Sequence, residues 1–248
     1  MANWSDPRPN AAPFGTAAGV RTDAYDAGLR SYMLSVYNYM ASGVLLTGVV
    51  AMLFSAGGAS SPAAQVFSQG GPLAWLLMLA PFGFVLAMNF GMNRMKTSTL
   101  QMLFWAFAVT MGLSLSTIFL VYSGTSIAQA FFATAAAFGG LSLYGYTTKR
   151  DLSAFGTFLI MGVVGILVAS LLNLWLQSSA LALGISVIGV LVFAGLTAYD
   201  TQRTKALYDQ VAGTDMQGKV VILSALSLYL DFINMFMFIL RLFGSSRN

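Results

Sequence analysis

Charged residues are confined to a few short stretches of this chain, and the apolar segments between them are far longer than a soluble core needs. Residues 31–93, 97–148 and 152–199 contain no charged residue, and each is long enough for two spans of ~20 residues. Each therefore reads as a hairpin of two membrane-crossing helices. The turns inside these hairpins are marked by Gly57-Gly58 with Pro62 and Gly70-Gly71-Pro72, by Ser123-Gly124-Thr125-Ser126, and by Gln177-Ser178-Ser179. With one more apolar segment near the end, the pattern predicts helices over roughly 31–54, 73–92, 98–122, 127–147, 153–176, 181–200 and 220–242.

The connections between hairpins carry the charge: Arg94 and Lys96, then Lys149, Arg150 and Asp151, then Arg203, Lys205, Asp209, Asp215 and Lys219. By the positive-inside rule these loops and the N-terminal tail are expected in the cytoplasm. An odd number of crossings puts the C-terminus on the far side. Arg241 and Arg247 lie at that end against the rule, so a re-entrant last helix with a cytoplasmic end is an alternative. Residues 1–30, with Pro7, Pro9 and Pro13 and no apolar run of signal-peptide length, are expected to form a disordered, uncleaved tail ahead of a transmembrane domain at 31–248.

Composition agrees with a polytopic all-α membrane protein. Hydrophobic residues make up 57% and charged residues only 8%, against about 25% charged in soluble domains, and the mean hydropathy is +0.75. The net charge of +4 is explained by orienting loops, and no nucleic-acid footprint is visible. There is no Cys and no His, and all eight acidic residues are Asp. Disulfides, thiolate or imidazole metal sites and His-based triads are excluded, so any proton chemistry must use aspartate. Small residues four apart, such as Gly112/Ser116, Ala135/Gly139, Gly165/Ala169 and Ala180/Gly184, are expected to allow close helix contacts in lipid.

Against this background Asp231 stands out. A helix over 220–242 is ~34 Å long, and Asp231 lies ~16 Å from its start, near the bilayer midplane. A central Asp costs roughly 2.5–3.5 kcal/mol on insertion scales, so it is expected to face protein or water and to mark a functional site. Ser224, Ser227, Asp231 and Asn234 recur at spacings of three and four, predicting one polar face on this helix. The blander reading is a buried polar stripe that only holds helices together. Asp200, in LTAYDTQRTK, has Arg203 three residues on as a local ion-pair partner, and Arg94 could be a surface anchor.

Taken together, AYDTQ around Asp200, SLYLDFINMF followed by LRLFG around Asp231, and GMNRMK around Arg94 resemble the Bax inhibitor-1 family, in its bacterial form. The resemblance runs from about residue 29 to the end. It implies a central seventh helix surrounded by the other six, an inner-membrane location, and a proton-sensitive Ca²⁺ leak. It also implies a hydrogen-bonded aspartate pair, Asp200 with Asp231, and Arg94 as the arginine that competes for Asp200. Helix spacing raises a difficulty. If the sixth helix ended at Asp200, the two carboxyls would lie ~16 Å apart in depth. Pairing requires the sixth helix to continue to Lys205 or beyond and the seventh to start earlier.

Two close carboxylates in low dielectric cannot both ionise without a large penalty, so such a pair titrates as a unit, and its loss of a proton could release the two helices. Ca²⁺ takes six to eight oxygens. Asp200 and Asp231 with Asn234, Ser227 and carbonyls offer only a loose partial shell, with Ser224 further along the path. That suits a permeant ion better than a tightly bound cofactor. Two other functions stay open: a non-enzymatic regulator that binds another membrane protein, such as a membrane-anchored protease, and an intramembrane aspartyl protease. The latter is disfavoured because neither aspartate sits in a glycine-flanked motif of that kind.

Overall fold

A computed structural model describes residues 15–245, with side chains from residue 25. Nine α-helices follow one another among these residues: α1 (Gly15–Phe54), α2 (Pro62–Ser68), α3 (Pro72–Gly91), α4 (Thr97–Leu115), α5 (Ile118–Val121), α6 (Gly124–Thr147), α7 (Ser153–Leu176), α8 (Ser179–Val211) and α9 (Gln217–Phe243). Seven spans are long and apolar enough to cross a bilayer, α4 and α5 together forming one of them. All seven predicted crossings are therefore present.

Turn chemistry explains where the helices begin. Ser61, Ser123 and Ser178 each accept a hydrogen bond from a first-turn N–H, of Ala64, Ser126 and Leu181 respectively, a cap contributing ~1 kcal/mol. Pro62 and Pro72 occupy first-turn positions, where the missing N–H costs nothing. Gln177 ends α7 in the left-handed region at φ 45°, and the Ser178 N–H turns back to Asn173 Oδ1 at 3.0 Å.

The helices are layered about α9. Of its most apolar stretch 72% is buried inside the protein, against 17–39% for the other six spans. α1, α4, α6 and α8 pack directly on it, while α3 backs onto α4 and α7 onto α8. Aromatic pairs hold the layers together: Tyr229 of α9 meets Phe104 and Phe107 of α4, Phe232 meets Phe131 and Phe138 of α6, and Phe238 stacks on Phe193 of α8. The perimeter is apolar as well, with Trp75, Phe90 and Trp175 exposed where lipid would lie.

Three expectations are corrected and one alternative is removed. The region expected to be disordered up to residue 30 is helical from Gly15, because α1 continues alongside a long α8; Leu29 is buried there, and the Tyr25 and Tyr32 rings pack on Tyr208. Residues 1–14 lie outside the described residues. The sixth helix does not end at residue 200 but runs on to Val211, and the seventh starts at Gln217 instead of 220. The last helix is not re-entrant: Ser123 N–H donates to Ser245 O at 3.1 Å and Ser245 N–H to Ser126 Oγ at 3.0 Å, so α9 ends beside the uncharged α5–α6 turn, at the opposite end of the bundle from its start. Finally, of the small-residue pairs, a Cβ on Gly139, Gly165 or Gly184 would meet nothing within 4 Å. Only Gly112 makes a close approach, 2.7 Å from Thr47 O.

Candidate functional site

The residues of the Ala198–Gln202 segment are tied to several parts of the surrounding structure. A Cβ on Gly145 of α6 would lie 2.2 Å from Ala198 O, and one on Gly156 of α7 would lie 2.4 Å from the Tyr199 ring. These two glycines let α6 and α7 close on α8 at the level of Asp200. Thr201 Oγ1 donates to Ser142 Oγ at 3.3 Å. Gln202 clamps the α6–α7 loop, accepting from Leu152 N–H at 2.8 Å and donating to Arg150 O at 2.7 Å. The backbone carrying Asp200 is thus held from both sides.

α9 is fixed just as firmly around Asp231. Two residues earlier, the Tyr229 hydroxyl lies 2.7 Å from Thr47 Oγ1 of α1, which donates to Ala108 O of α4 at 2.8 Å. One residue later, Phe232 is wedged between Phe131 and Phe138. Side chains this constrained give Asp231 little freedom to relocate on its own.

Between these clamps the Asp200 and Asp231 carboxyls face each other across the α8–α9 interface, close enough to act on one another. The depth difficulty disappears with the observed helix ends. Asp200 lies eleven residues before Val211 and Asp231 fourteen after Gln217, ~16 Å and ~21 Å from the shared α8–α9 turn. Asp231 is 4% exposed, and its Oδ2 is buried with no hydrogen-bond partner. An ionised carboxylate only accepts, so two carboxyls bond to each other only with a proton between them. Removing that proton would leave two like charges which, 4 Å apart at an effective dielectric of 20, repel by about 4 kcal/mol.

The other expected site residues fall elsewhere. The charge acting on Asp200 is that of Arg203, one turn along α8. Arg94 is exposed in the α3–α4 loop, which is tied to the first turn of α9 by Lys219 Nζ donating to Met92 O at 3.1 Å. That level is ~20 Å along α9 from Asp231, so the structure does not bring Arg94 to the pair. The predicted single polar face of α9 is split in two. Ser224 and Asp231 are buried, whereas Ser227 and Asn234 lie about 60° round the helix on its least buried stripe. Asn234 Nδ2 donates to Leu230 O, and the residue lines a small cleft against α3 and α4. Among the described residues no cluster of three or more carboxylates could hold a metal ion.

A family profile described as inhibitor of apoptosis-promoting Bax1 matches residues 29–248. The chain belongs to the Bax inhibitor-1 family. It is 46% identical to an uncharacterized protein of Rickettsia prowazekii over 92% of this chain and 95% of that one. Its likeness to the inner membrane protein YbhL of Escherichia coli is 45% over 89% and 94%. An uncharacterized protein of Caulobacter vibrioides is 45% identical over 90% and 91%. The protein is accordingly an integral membrane member of this family, with seven apolar helices.

Within this family member, the sequence motifs stand out because of what surrounds them. AYDTQ is a set of contacts to α6, α7 and the α6–α7 loop, with Asp200 as its one member directed to α9. Sequence reasoning missed Gly145, Gly156, Ser142, Thr47 and Gln202. The two glycines carry no distinguishing signal in an apolar run, and small-residue spacing pointed instead to Gly112 and to three glycines that face open space. Gln202 could have been suspected as a polar residue on a helix that had to extend beyond Asp200.

Proposed function

We propose that this protein is a cation leak pathway of a bacterial inner membrane, passing Ca²⁺ and gated by proton occupancy of the Asp200–Asp231 pair, with the N-terminus and the charged loops in the cytoplasm. The facing of two carboxyls inside the bundle, on the central helix and the neighbour packed most extensively against it, carries this reading. A buried acid pair bridging the central helix to its main neighbour stabilises packing only while it holds a proton. Apolar residues would pack there without that condition. Losing the proton converts the contact into repulsion, which α8 and α9 relieve by separating, and Arg203 is placed to compensate Asp200 once its partner has moved. Ca²⁺ enters as the permeant ion: two carboxylates are too few for a lasting shell and enough to draw a divalent cation through. Chemistry is not part of this reading.

The test is Ca²⁺ flux into liposomes across mildly acidic to alkaline pH for the wild type, Asp200→Asn, Asp231→Asn and the double variant at equal density. Asparagine keeps size and hydrogen bonding and removes titration. Each single variant should lose most of the pH response, and the double should be little worse than either, since one unit is removed in all three. Full pH sensitivity in Asp231→Asn, or cleanly additive effects, would sink the gate.

A further inference from the structure

Arg241 is the only charged residue described at the end of the bundle where α9 terminates; the other charged side chains lie near the middle or at the opposite end. An arginine on the wrong side of a strongly segregated charge pattern calls for a local cause. It lines a cleft of about 520 Å³ between α7, α8 and the last turns of α9, and five polar side chains share that cleft: Tyr122, Ser170, Asn173, Ser179 and Ser186. No acid is among the lining residues.

The cleft offers donors and no acid: Ser186 Oγ is spent on Ala182 O at 2.8 Å, but other donors remain. The exposed guanidinium lies over the Phe238 ring, 5.7 Å from its centroid, and no carboxylate is near enough to occupy its donors. The Asn173 Oδ1 is taken by Ser178 N–H, so the amide presents its Nδ2 donor. Ser179 opens the 33-residue α8, whose first N–H groups and dipole add positive potential from the same side. A cation, an amide donor, the hydroxyls of Tyr122, Ser170 and Ser179 and a helix start, with no carboxylate, favour an oxyanion. The remaining walls, Leu174, Leu183 and Leu242, are apolar. Trp175 beside them is 85% exposed, as expected of a residue at the membrane–water boundary.

We propose that the Arg241 cleft binds a phosphate group, that of an anionic phospholipid headgroup or free phosphate, in the leaflet opposite the charged loops. Basic pockets between transmembrane helices are suited to such headgroups, and the leucines would take the start of an acyl chain. A bidentate guanidinium contact supplies the discrimination.

The full chain, purified in detergent, is titrated with short-chain phosphatidylglycerol, short-chain phosphatidylcholine and inorganic phosphate, read by thermal stability and tryptophan fluorescence. Phosphatidylglycerol should bind roughly tenfold or more tightly than phosphatidylcholine, and Arg241→Gln should remove that preference. Arg241→Lys should restore only part of it. Ser170→Leu, which fills the cleft from α7, should weaken binding without touching the charge. Both Arg241→Gln and Ser170→Leu should unfold at the wild-type temperature without ligand, which separates loss of the site from loss of the fold. Inorganic phosphate binding as tightly as the lipid, with the same loss in Arg241→Gln, supports the site and assigns it to a soluble anion; phosphatidylglycerol binding alone assigns it to lipid. Equal binding of the two lipids with no phosphate binding, or wild-type binding by Arg241→Gln, overturns the proposal.

Discussion

A few atoms decide whether the Asp200 and Asp231 carboxyls can meet. Beside Asp200, α6 and α8 approach more closely than any side chain on Gly145 would permit, since the added Cβ would lie 2.2 Å from Ala198 O and 3.0 Å from Ala198 Cα. Both are backbone atoms of a clamped helix and cannot rotate away. Gly145→Ala should therefore push α6 off α8 at the level of Asp200, costing about 1–3 kcal/mol as overpacking usually does and disturbing the pH response with it. Gly139→Ala, on the same helix, adds a methyl where nothing lies within 4 Å and serves as the control. Thermal unfolding in detergent, with flux against pH for both variants, makes the comparison; equal behaviour of the two would show that the close contact does not position the pair.

At the scale of elements, α8 matters most beyond the point where its apolar run stops. Its last turns, Thr201–Val211, stay helical because they find partners outside the membrane: the Tyr25 hydroxyl donates to Asp209, the rings of Tyr25 and Tyr32 pack on Tyr208, and Lys205 Nζ donates to Tyr146 O at 2.9 Å while lying over the Tyr146 ring. That extension sets the depth at which α9 re-enters and hence the register of Asp231 against Asp200. Ala206→Pro, at an exposed position in the extension, removes a helix hydrogen bond and costs about 3 kcal/mol or more there. The apolar span below it is untouched, so the variant should still insert. Its 203–216 segment should become sensitive to proteolysis, and Ca²⁺ flux should lose its dependence on pH. A proteolytically resistant Ala206→Pro variant with a wild-type pH profile would show that the extension does not set the register.

For the whole molecule, the seven crossings and the end point of α9 can be checked in one experiment, because the chain has no native cysteine. Ser123 and Ser178 cap helices, so the probes are better placed at the exposed neighbours Thr125 and Ala180, together with Ser60 and Ser245. Cysteines at these four positions should react with an impermeant reagent from one side of the membrane, and cysteines at Ser98 and Gln210 only from the other. Reaction of Ser245→Cys with the second group would mean that α9 turns back.

The chain's own sequence determined the number of crossings and the gathering of charge at the connections, because hydrophobic length and charge spacing are properties along one dimension that a bilayer reads directly. It also singled out Asp231, since a carboxyl in the middle of an apolar span is costly whatever packs around it. Only the tertiary structure decided how far α8 and α9 reach beyond the apolar run, which faces of α9 hold Ser224 and Ser227, and which glycines touch a neighbour. It likewise left Arg94 away from the pair. In lipid a helix surface and a helix interface have nearly the same composition, and the helix ends depend on tyrosine, lysine and aspartate contacts between segments 59 to 184 residues apart. Hydropathy does not register those contacts, and they bring Asp200 to Asp231.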